Sequence, residues 1–199
     1  NDLIDAGNQA KLIGKNMSDV LAVASSLSSE FGINLRETVD IADTVLDTAV
    51  AVGLSTDEAT KLFGVFMQIG GLTKDQAENL IESTAQLADQ KGVAPTAVLR
   101  DLAASSEDIA KFTKGTGENL AEAAVQARQM GLSLSTTARI AEGLLDFETS
   151  IRKEVEASVL IGQQLNLQKA RELALSGNLP KMMEEVVKQL GSQERFNRL

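Results

Sequence analysis

A glycine-centred turn signature recurs along this chain and limits the folds open to it. In each copy, glycine can take the left-handed conformation that ends one helix, and Asn, Ser or Thr can then cap the next helix. Glu or Gln three residues after the cap completes a capping box. The copies are Gly32-Ile33-Asn34 with Glu37, Gly53-Leu54-Ser55 with Glu58, and Gly71-Leu72-Thr73 with Gln76. The signature predicts helices joined by very short connections, so that neighbouring helices fold back on one another.

Two further turns carry weaker versions of the signature. Gly131-Leu132-Ser133 is followed by Thr136 in place of an acidic or amide residue, and Gly92-Val93-Ala94 is followed by Pro95 at the first helical position. The glycines are also periodic, because Gly14, Gly53, Gly92 and Gly131 are each 39 residues apart, as are Gly32 and Gly71. A repeat of helical hairpins explains this period. Helices of similar length at similar spacing explain it equally well, since the other residues that lie 39 positions apart agree only loosely in type.

The rest of the pattern is helical throughout. Apolar residues recur three and four positions apart, and prolines occur only at 95 and 180. We expect an all-α fold: an array of short antiparallel helices joined by Gly-capped tight turns, forming helical hairpins or a bundle with a longer C-terminal helix. The expected helices are 2–30, 34–52, 55–69, 73–91, 95–113, 117–130, 133–164, 167–176 and 179–190, with a loop at 115–117.

The turn signals become sparser after Gly131. We therefore expect a helical-hairpin region over 1–130 and a region of longer helix over 131–199. The chain begins at Asn1 without an initiating Met and ends at Leu199 without an obvious tail. We expect it to be a segment of a longer protein, with a processed chain as the alternative.

Composition removes most catalytic and metal-binding classes. The 199 residues include no Cys and no His, so thiolate chemistry, zinc fingers, iron–sulfur clusters, Ser-His-Asp triads and Glu-x-x-His di-iron sites are excluded. Trp and Tyr are absent, and the net charge is −9, which is opposite in sign to a nucleic-acid-binding surface. The remaining classes are a structural or interaction protein and an enzyme that uses carboxylates, Lys, Arg or Ser.

No motif predicts a catalytic, cofactor-binding or metal-binding residue. Lys114-Gly115-Thr116-Gly117-Glu118 resembles a phosphate loop only faintly, since no strand precedes it and position 120 is Leu. Carboxylates one or two residues apart do not share a helix face, so solvated helix surface is the preferred interpretation of such pairs. These pairs are Asp146 with Glu148, Glu154 with Glu156, and Glu184 with Glu185. Glu148 and Arg152 are expected to pair along one helix.

Two apolar clusters have competing interpretations. Phe63, Phe66 and Met67 form a bulky helical face that we assign to the core rather than to a groove or an oligomer contact. The stretch 62–72 that contains them is too short to cross a membrane, which takes about 20 residues. A second stripe consists of Ile140, Leu144, Phe147, Ile151 and Val155. Its heptad spacing fails at Glu154 and Ser158, which favours a bundle helix over a long coiled coil.

The last third of the chain resembles a known family. The resemblance rests on Gly131-Leu132-Ser133, Ala141-Glu142-Gly143-Leu144-Leu145-Asp146-Phe147-Glu148, Ser150-Ile151, Glu156-Ala157, Leu165-Asn166-Leu167, and Ala170-Arg171-Glu172-Leu173-Ala174-Leu175 with Gly177. This succession is similar to tail tape measure proteins of tailed bacteriophages, especially large contractile-tailed ones. It covers roughly 92–199, whereas residues 1–91 share only the style of short amphipathic helices.

The resemblance implies a structural role in a phage tail. The parent would be a long helical chain that helps to set the length of the tail tube, occupies the tube lumen or the baseplate hub, and is ejected ahead of the DNA. It implies several copies of the chain, with a trimer among the options, and contacts with tube protein, baseplate hub and assembly chaperones. It implies location in the virion, after assembly in the host cytoplasm. The closely spaced turns nevertheless predict compact hairpins rather than a thin rod.

Two other functions stay open from the residues alone. One is a helical-repeat module for protein–protein interaction in a large bacterial scaffold or effector protein, which requires a continuous face across the 39-residue units. The other is an enzyme using carboxylates or lysine, which requires a pocket with convergent polar groups. We expect no enzyme, no cofactor, no sequence-specific contact with nucleic acid and no membrane span in this segment.

Overall fold

The structure, a computed structural model, describes residues 17–105, 111–112 and 117–190, and ten helices and no strand lie within these residues. The all-α class expected from the sequence is confirmed. In chain order the helices are α1 (Met17–Phe31), α2 (Leu35–Val52), α3 (Thr56–Gln68), α4 (Lys74–Gln90), α5 (Pro95–Ala104), α6 (Glu118–Gln129), α7 (Leu134–Leu145), α8 (Phe147–Ile161), α9 (Gln168–Leu175) and α10 (Leu179–Leu190).

The predicted turns set the helix boundaries. Their glycines have left-handed φ angles of 65° to 73°, at Gly32, Gly53, Gly71, Gly92 and Gly131. Ser55 and Glu58 form a capping box, in which the Glu58 amide donates to Ser55 Oγ at 3.2 Å and the Ser55 amide donates to Glu58 Oε2 at 2.8 Å. Thr73 and Gln76 form the same box at the start of α4. The local sequence therefore specifies where these helices begin.

One cap differs from the prediction. Asn34 accepts a hydrogen bond from the Arg36 amide at 3.0 Å, one residue earlier than a capping box requires, and the Glu37 side chain does not complete the box. Ser133 caps α7 by accepting from the Thr136 amide at 3.1 Å. Helix α5 begins at Pro95 without a side-chain cap, as the proline at the first helical position predicts.

The helices pack in two rows. The first row consists of α1, α3, α5 and α7, and the second row of α2, α4, α6 and α10. Each helix contacts its neighbours in its own row and the adjacent helices of the other row, while α8 and α9 form an excursion between α7 and α10. Short connections and apolar faces on both rows produce one continuous core, which runs from Val20 to Val186.

Positions 39 residues apart occupy equivalent places in these rows. Helices α3, α5 and α7 begin at residues 56, 95 and 134. The amides of Leu54, Val93 and Leu132 each donate to an alanine carbonyl five residues earlier, at 2.8 to 2.9 Å. Buried side chains recur in the same register: Val20, Ala59, Val98 and Thr137; Ala24, Phe63, Leu102 and Ala141; Leu27, Phe66, Ser105 and Leu144. The hairpins are therefore stacked as equivalent units. The division into 1–130 and 131–199 stays a prediction.

The structure corrects the longest predicted helix. The stretch 133–164 is two helices, α7 and α8, so there is no longer C-terminal helix within residues 117–190, and the longest described helix is α2 with 18 residues. Helix α5 ends at Ala104, and the expected extension to 113 falls largely outside the described residues, as do residues 2–16 of the first predicted helix. Lys114, Gly115 and Thr116 also lie outside them.

Candidate interaction surface

Asp146 separates α7 from α8. Its backbone has φ −78° and ψ 80°, outside the helical region, and its amide bonds to the Glu142 carbonyl as the last bond of α7. Its side chain accepts from the Thr149 amide at 3.3 Å and thereby caps α8. Two hydrogen bonds to Thr149 lower the pKa of Asp146, because they favour the carboxylate form. The apolar period continues across this residue, which is why the pattern alone predicts one helix.

Helix α8 is amphipathic, but its apolar side faces outward and a polar side faces the protein. Its outer side is a ridge of apolar side chains mostly four residues apart: Phe147, Ile151, Val155, Val159 and Leu160, which we call the α8 ridge. The exposed fraction rises from 48% at Phe147 through 51%, 61% and 77% to 80% at Leu160. Ser150 is the helix's one buried residue. This exposed apolar ridge is therefore the candidate interaction surface of the described residues.

The inner side of α8 is held by polar contacts. Arg171 of α9 is buried, and its Nη1 donates to Glu154 Oε2 at 2.7 Å and to Ser150 Oγ at 3.1 Å. The same Glu154 oxygen accepts from the Leu167 amide at 3.2 Å. We call these four residues the α8–α9 latch. Because hydrogen bonds between charged groups are short and directional, the latch fixes which side of α8 points outward.

The second apolar stripe is therefore divided. Leu144 is buried and Ile140 half-buried in α7, whereas Phe147, Ile151 and Val155 are exposed in α8. The stripe is not one long coiled-coil helix, since the break at Asp146 divides it between two short helices, of which α7 packs its part into the core and α8 leaves its part exposed. The assignment of Phe63 and Phe66 to the core is confirmed, with Met67 half-buried beside them.

The interpretation of the carboxylate pairs as solvated surface is wrong for two residues. Glu154 is half-buried and belongs to the latch, whereas Asp146 is exposed and caps α8. Glu185 is buried; its Oε1 accepts from Gln189 and its Oε2 lies 3.3 Å from Lys169 Nζ, and these contacts lower its pKa. Glu148 and Glu156 are exposed as expected. The expected ion pair between Glu148 and Arg152 does not form among the described residues.

Sequence reasoning missed one buried carboxylate. Asp101 of α5 accepts from the Leu134 amide at 2.7 Å, at the first turn of α7, and lies 3.4 Å from Arg128 Nε. Burial raises the pKa of Asp101, and the two donors only partly offset this effect. The 39-residue period could have indicated this residue, because Asp101 lies 39 residues after Leu62 and so occupies a position that is apolar and buried in the earlier hairpin. Its contacts are structural, since they join one hairpin unit to the next.

Negative charge is concentrated on the second row. Helices α2 and α4 together contain eight acidic and two basic residues. Burial and the neighbouring charge of Asp47 raise the pKa of Asp43, and burial and the charge of Glu82 raise the pKa of Glu78. This face disfavours any polyanion, because like charges repel.

The described surface contains grooves between its helices. A shallow groove of about 520 Å³ lies along α4 and the start of α6, and is lined largely by amide, hydroxyl and carboxylate side chains such as Gln76, Asn79, Ser83 and Glu118. Among residues 17–105, 111–112 and 117–190, no three Asp or Glu side chains are placed to hold a metal ion. None of the helices described is both long enough and apolar enough to cross a bilayer.

The fold and the surface define a class. Residues 17–105, 111–112 and 117–190 form an all-α stack of helical hairpins, and within them α8 is an amphipathic helix whose apolar side faces solvent. No protein-family model, curated protein or solved structure matches the chain.

Proposed function

We propose that this chain is a structural, non-enzymatic segment of a bacteriophage tail tape measure protein. The observation that carries the proposal is the position, in the structure, of the residues that resemble tail tape measure proteins. Asp146 caps α8, Leu167 and Arg171 belong to the latch, and Asn166 Oδ1 accepts from the Gln168 amide at the start of α9. The resembling residues therefore include those that cap α8 and hold α9 against it, together with Phe147 and Ile151 of the α8 ridge.

In this role the chain resides in the tail lumen or the baseplate hub until ejection, after assembly in the host cytoplasm. The partners we propose are tube protein, baseplate hub and assembly chaperones. The acidic second row avoids adhesion to the DNA that enters the tail later.

Two forms of the segment would contribute very different lengths to a tail. Extended as continuous helix, one 39-residue unit spans about 59 Å, because a helix rises about 1.5 Å per residue. As stacked hairpins, one unit adds one helix to each row, or about 10 Å. The packed core supports the compact form for the free chain, and the length of the tail reports which form the assembled particle contains.

The test is an in-frame deletion of residues 53–91 in the phage that encodes the chain. This deletion joins Val52 to Gly92 and keeps the register of the hairpins, because Gly92 replaces Gly53. Electron microscopy measures tail length, and peptide mapping of purified particles shows that the chain is present. The matched control duplicates 53–91, which should lengthen the tail by the amount that the deletion removes.

Each outcome has a definite meaning. Shortening by about 59 Å supports length setting by an extended segment, and shortening by about 10 Å or less supports a compact module inside the tail. Tailed particles that contain no peptide of this chain would refute the tail assignment.

The alternative is a helical-repeat interaction module of a large bacterial scaffold or effector protein. The regular 39-residue stacking favours it, since repeat proteins present continuous surfaces to partners. It predicts the chain in a cytosolic or secreted protein rather than in tailed particles, so the same peptide mapping distinguishes the two.

A further inference from the structure

The α8 ridge needs a cover that the described residues do not supply. Its members are exposed while the opposite side of α8 is occupied by the latch, so an occupant must approach from outside the two rows. We propose that the occupant is a second copy of this chain, and that the α8 helices of the two copies pack antiparallel about a two-fold axis. This goes beyond the proposed function, because it rests on α8 alone and holds for any parent protein.

The ridge is complementary to itself. Side chains four residues apart form a continuous ridge on a helix, and such a ridge packs into the groove beside the equivalent ridge of a second helix. An axis at the level of Lys153 places Ile151 opposite Val155 of the second copy and Phe147 opposite its Val159. Each of these four residues then meets an apolar residue, which is the requirement for an isologous contact, while Leu160 lies outside this pairing.

The charges beside the ridge select the antiparallel direction. Arg152 and Glu156 lie on the open flank of the ridge, are exposed, and have no ion-pair partner among the described residues. The other flank, with Ser150 and Glu154, is occupied by Arg171 of α9. Antiparallel packing brings the two open flanks together, so Arg152 of each copy faces Glu156 of the other. Parallel packing would direct Arg152 at the flank that the latch occupies.

The size of the ridge makes the dimer weak. The four partly exposed apolar side chains of this pairing present on the order of 300 Å² per copy. A stable interface buries about 800 Å² per partner, so this contact belongs with transient complexes. We therefore expect a dissociation constant on the order of 100 μM.

The experiment measures association of the 199-residue chain directly. Sedimentation velocity from about 5 to 500 μM should show reversible dimerisation; interference optics are needed because the chain has no Trp or Tyr. Ile151→Glu should weaken association at least tenfold. Leu21→Glu is the matched control, since Leu21 is an apolar residue on α1 with the same 51% exposure. Circular dichroism should show both variants folded, because both side chains are exposed.

Charge reversal tests the direction of packing. Arg152→Glu should weaken association, and Arg152→Glu combined with Glu156→Arg should restore it. A chain that stays monomeric at 500 μM would overturn the proposal, as would a dimer insensitive to Ile151→Glu. Failure of the double variant to restore a dimer that Arg152→Glu has weakened would overturn the antiparallel arrangement.

Discussion

Helices α1 and α3 approach closely at Gly64, and this contact provides a sharp test of the packing. Gly64 is buried in the middle of α3, and a Cβ atom built there would overlap the ring of Phe31 at the end of α1. Alanine at this position improves helix propensity by about 1 kcal/mol, but overpacking costs about 1 to 3 kcal/mol. Because the overlap is with several atoms of the Phe31 ring, the overpacking cost lies in the upper part of this range, at about 2 to 3 kcal/mol. We therefore expect Gly64→Ala to lower the free energy of unfolding by about 1 to 2 kcal/mol.

Gly143 is the matched control for this substitution. It also lies within a helix, α7, but is exposed, and a Cβ atom there would meet nothing within 4 Å. Gly143→Ala should therefore raise the free energy of unfolding by about 0.5 to 1 kcal/mol. For a chain of this length, 1 kcal/mol corresponds to a shift in Tm of about 2 to 4 °C.

Thermal and urea unfolding followed by circular dichroism measure both changes. The two variants should shift Tm in opposite directions, Gly64→Ala downward and Gly143→Ala upward. In a Phe31→Leu background the cost of Gly64→Ala should largely disappear, because the branched side chain can move aside, with a coupling of about 1 kcal/mol. A Gly64→Ala protein that melts at or above the parent's Tm would refute the reasoning.

Three further predictions concern polar contacts. Ser55→Ala should lower the free energy of unfolding by about 1 kcal/mol. The capping box lowers the pKa of Glu58, so the stability that this carboxylate contributes is present above pH 4.5 and is lost as the pH falls through its folded-state pKa. Acid titration of Tm should show this loss in the parent chain and not in Glu58→Gln. Burial raises the pKa of Asp101, so ionisation of this carboxyl lowers the stability of the fold as the pH rises above 3.8. In urea unfolding, Asp101→Asn should remove this pH dependence. Asp101→Ala should lower the free energy of unfolding by about 2 kcal/mol. Arg171→Met leaves the half-buried Glu154 without the guanidinium that neutralises it, which should lower local stability by about 3 kcal/mol. Hydrogen exchange should then be roughly 100-fold faster across residues 147–161, with no such change in α3.

The boundaries of most helices could be predicted because they are encoded locally. A glycine, a capping side chain and a capping-box residue lie within six positions of one another, so no knowledge of tertiary contacts is needed at Ser55 or Thr73. The break at Asp146 was missed although Asp is a good cap, because the apolar period on both sides is uninterrupted and no glycine marks the turn.

The orientation of α8 could not be predicted from its stripe. A row of apolar residues indicates that one face of a helix needs cover, but not whether the cover comes from the same chain. The latch decides this, and it depends on Arg171 and Glu154, which are 17 residues apart and become neighbours only when α9 folds back. Asp101 is similar, since its partner amide belongs to Leu134 in the next hairpin unit.

The stacking of the hairpins also determines how the chain responds to force. The principal contacts join each helix to its neighbours in the two rows, so a pull on one end loads the terminal hairpin before the others. The hairpins α1–α2, α3–α4 and α5–α6 recur every 39 residues, so each would release about 130 to 140 Å of extended chain when it yields. The last unit, from α7 to α10, is longer because it includes α8 and α9. Single-molecule stretching should therefore record nearly equal steps and one larger step. A protein built in this way can be drawn through a narrow opening one unit at a time.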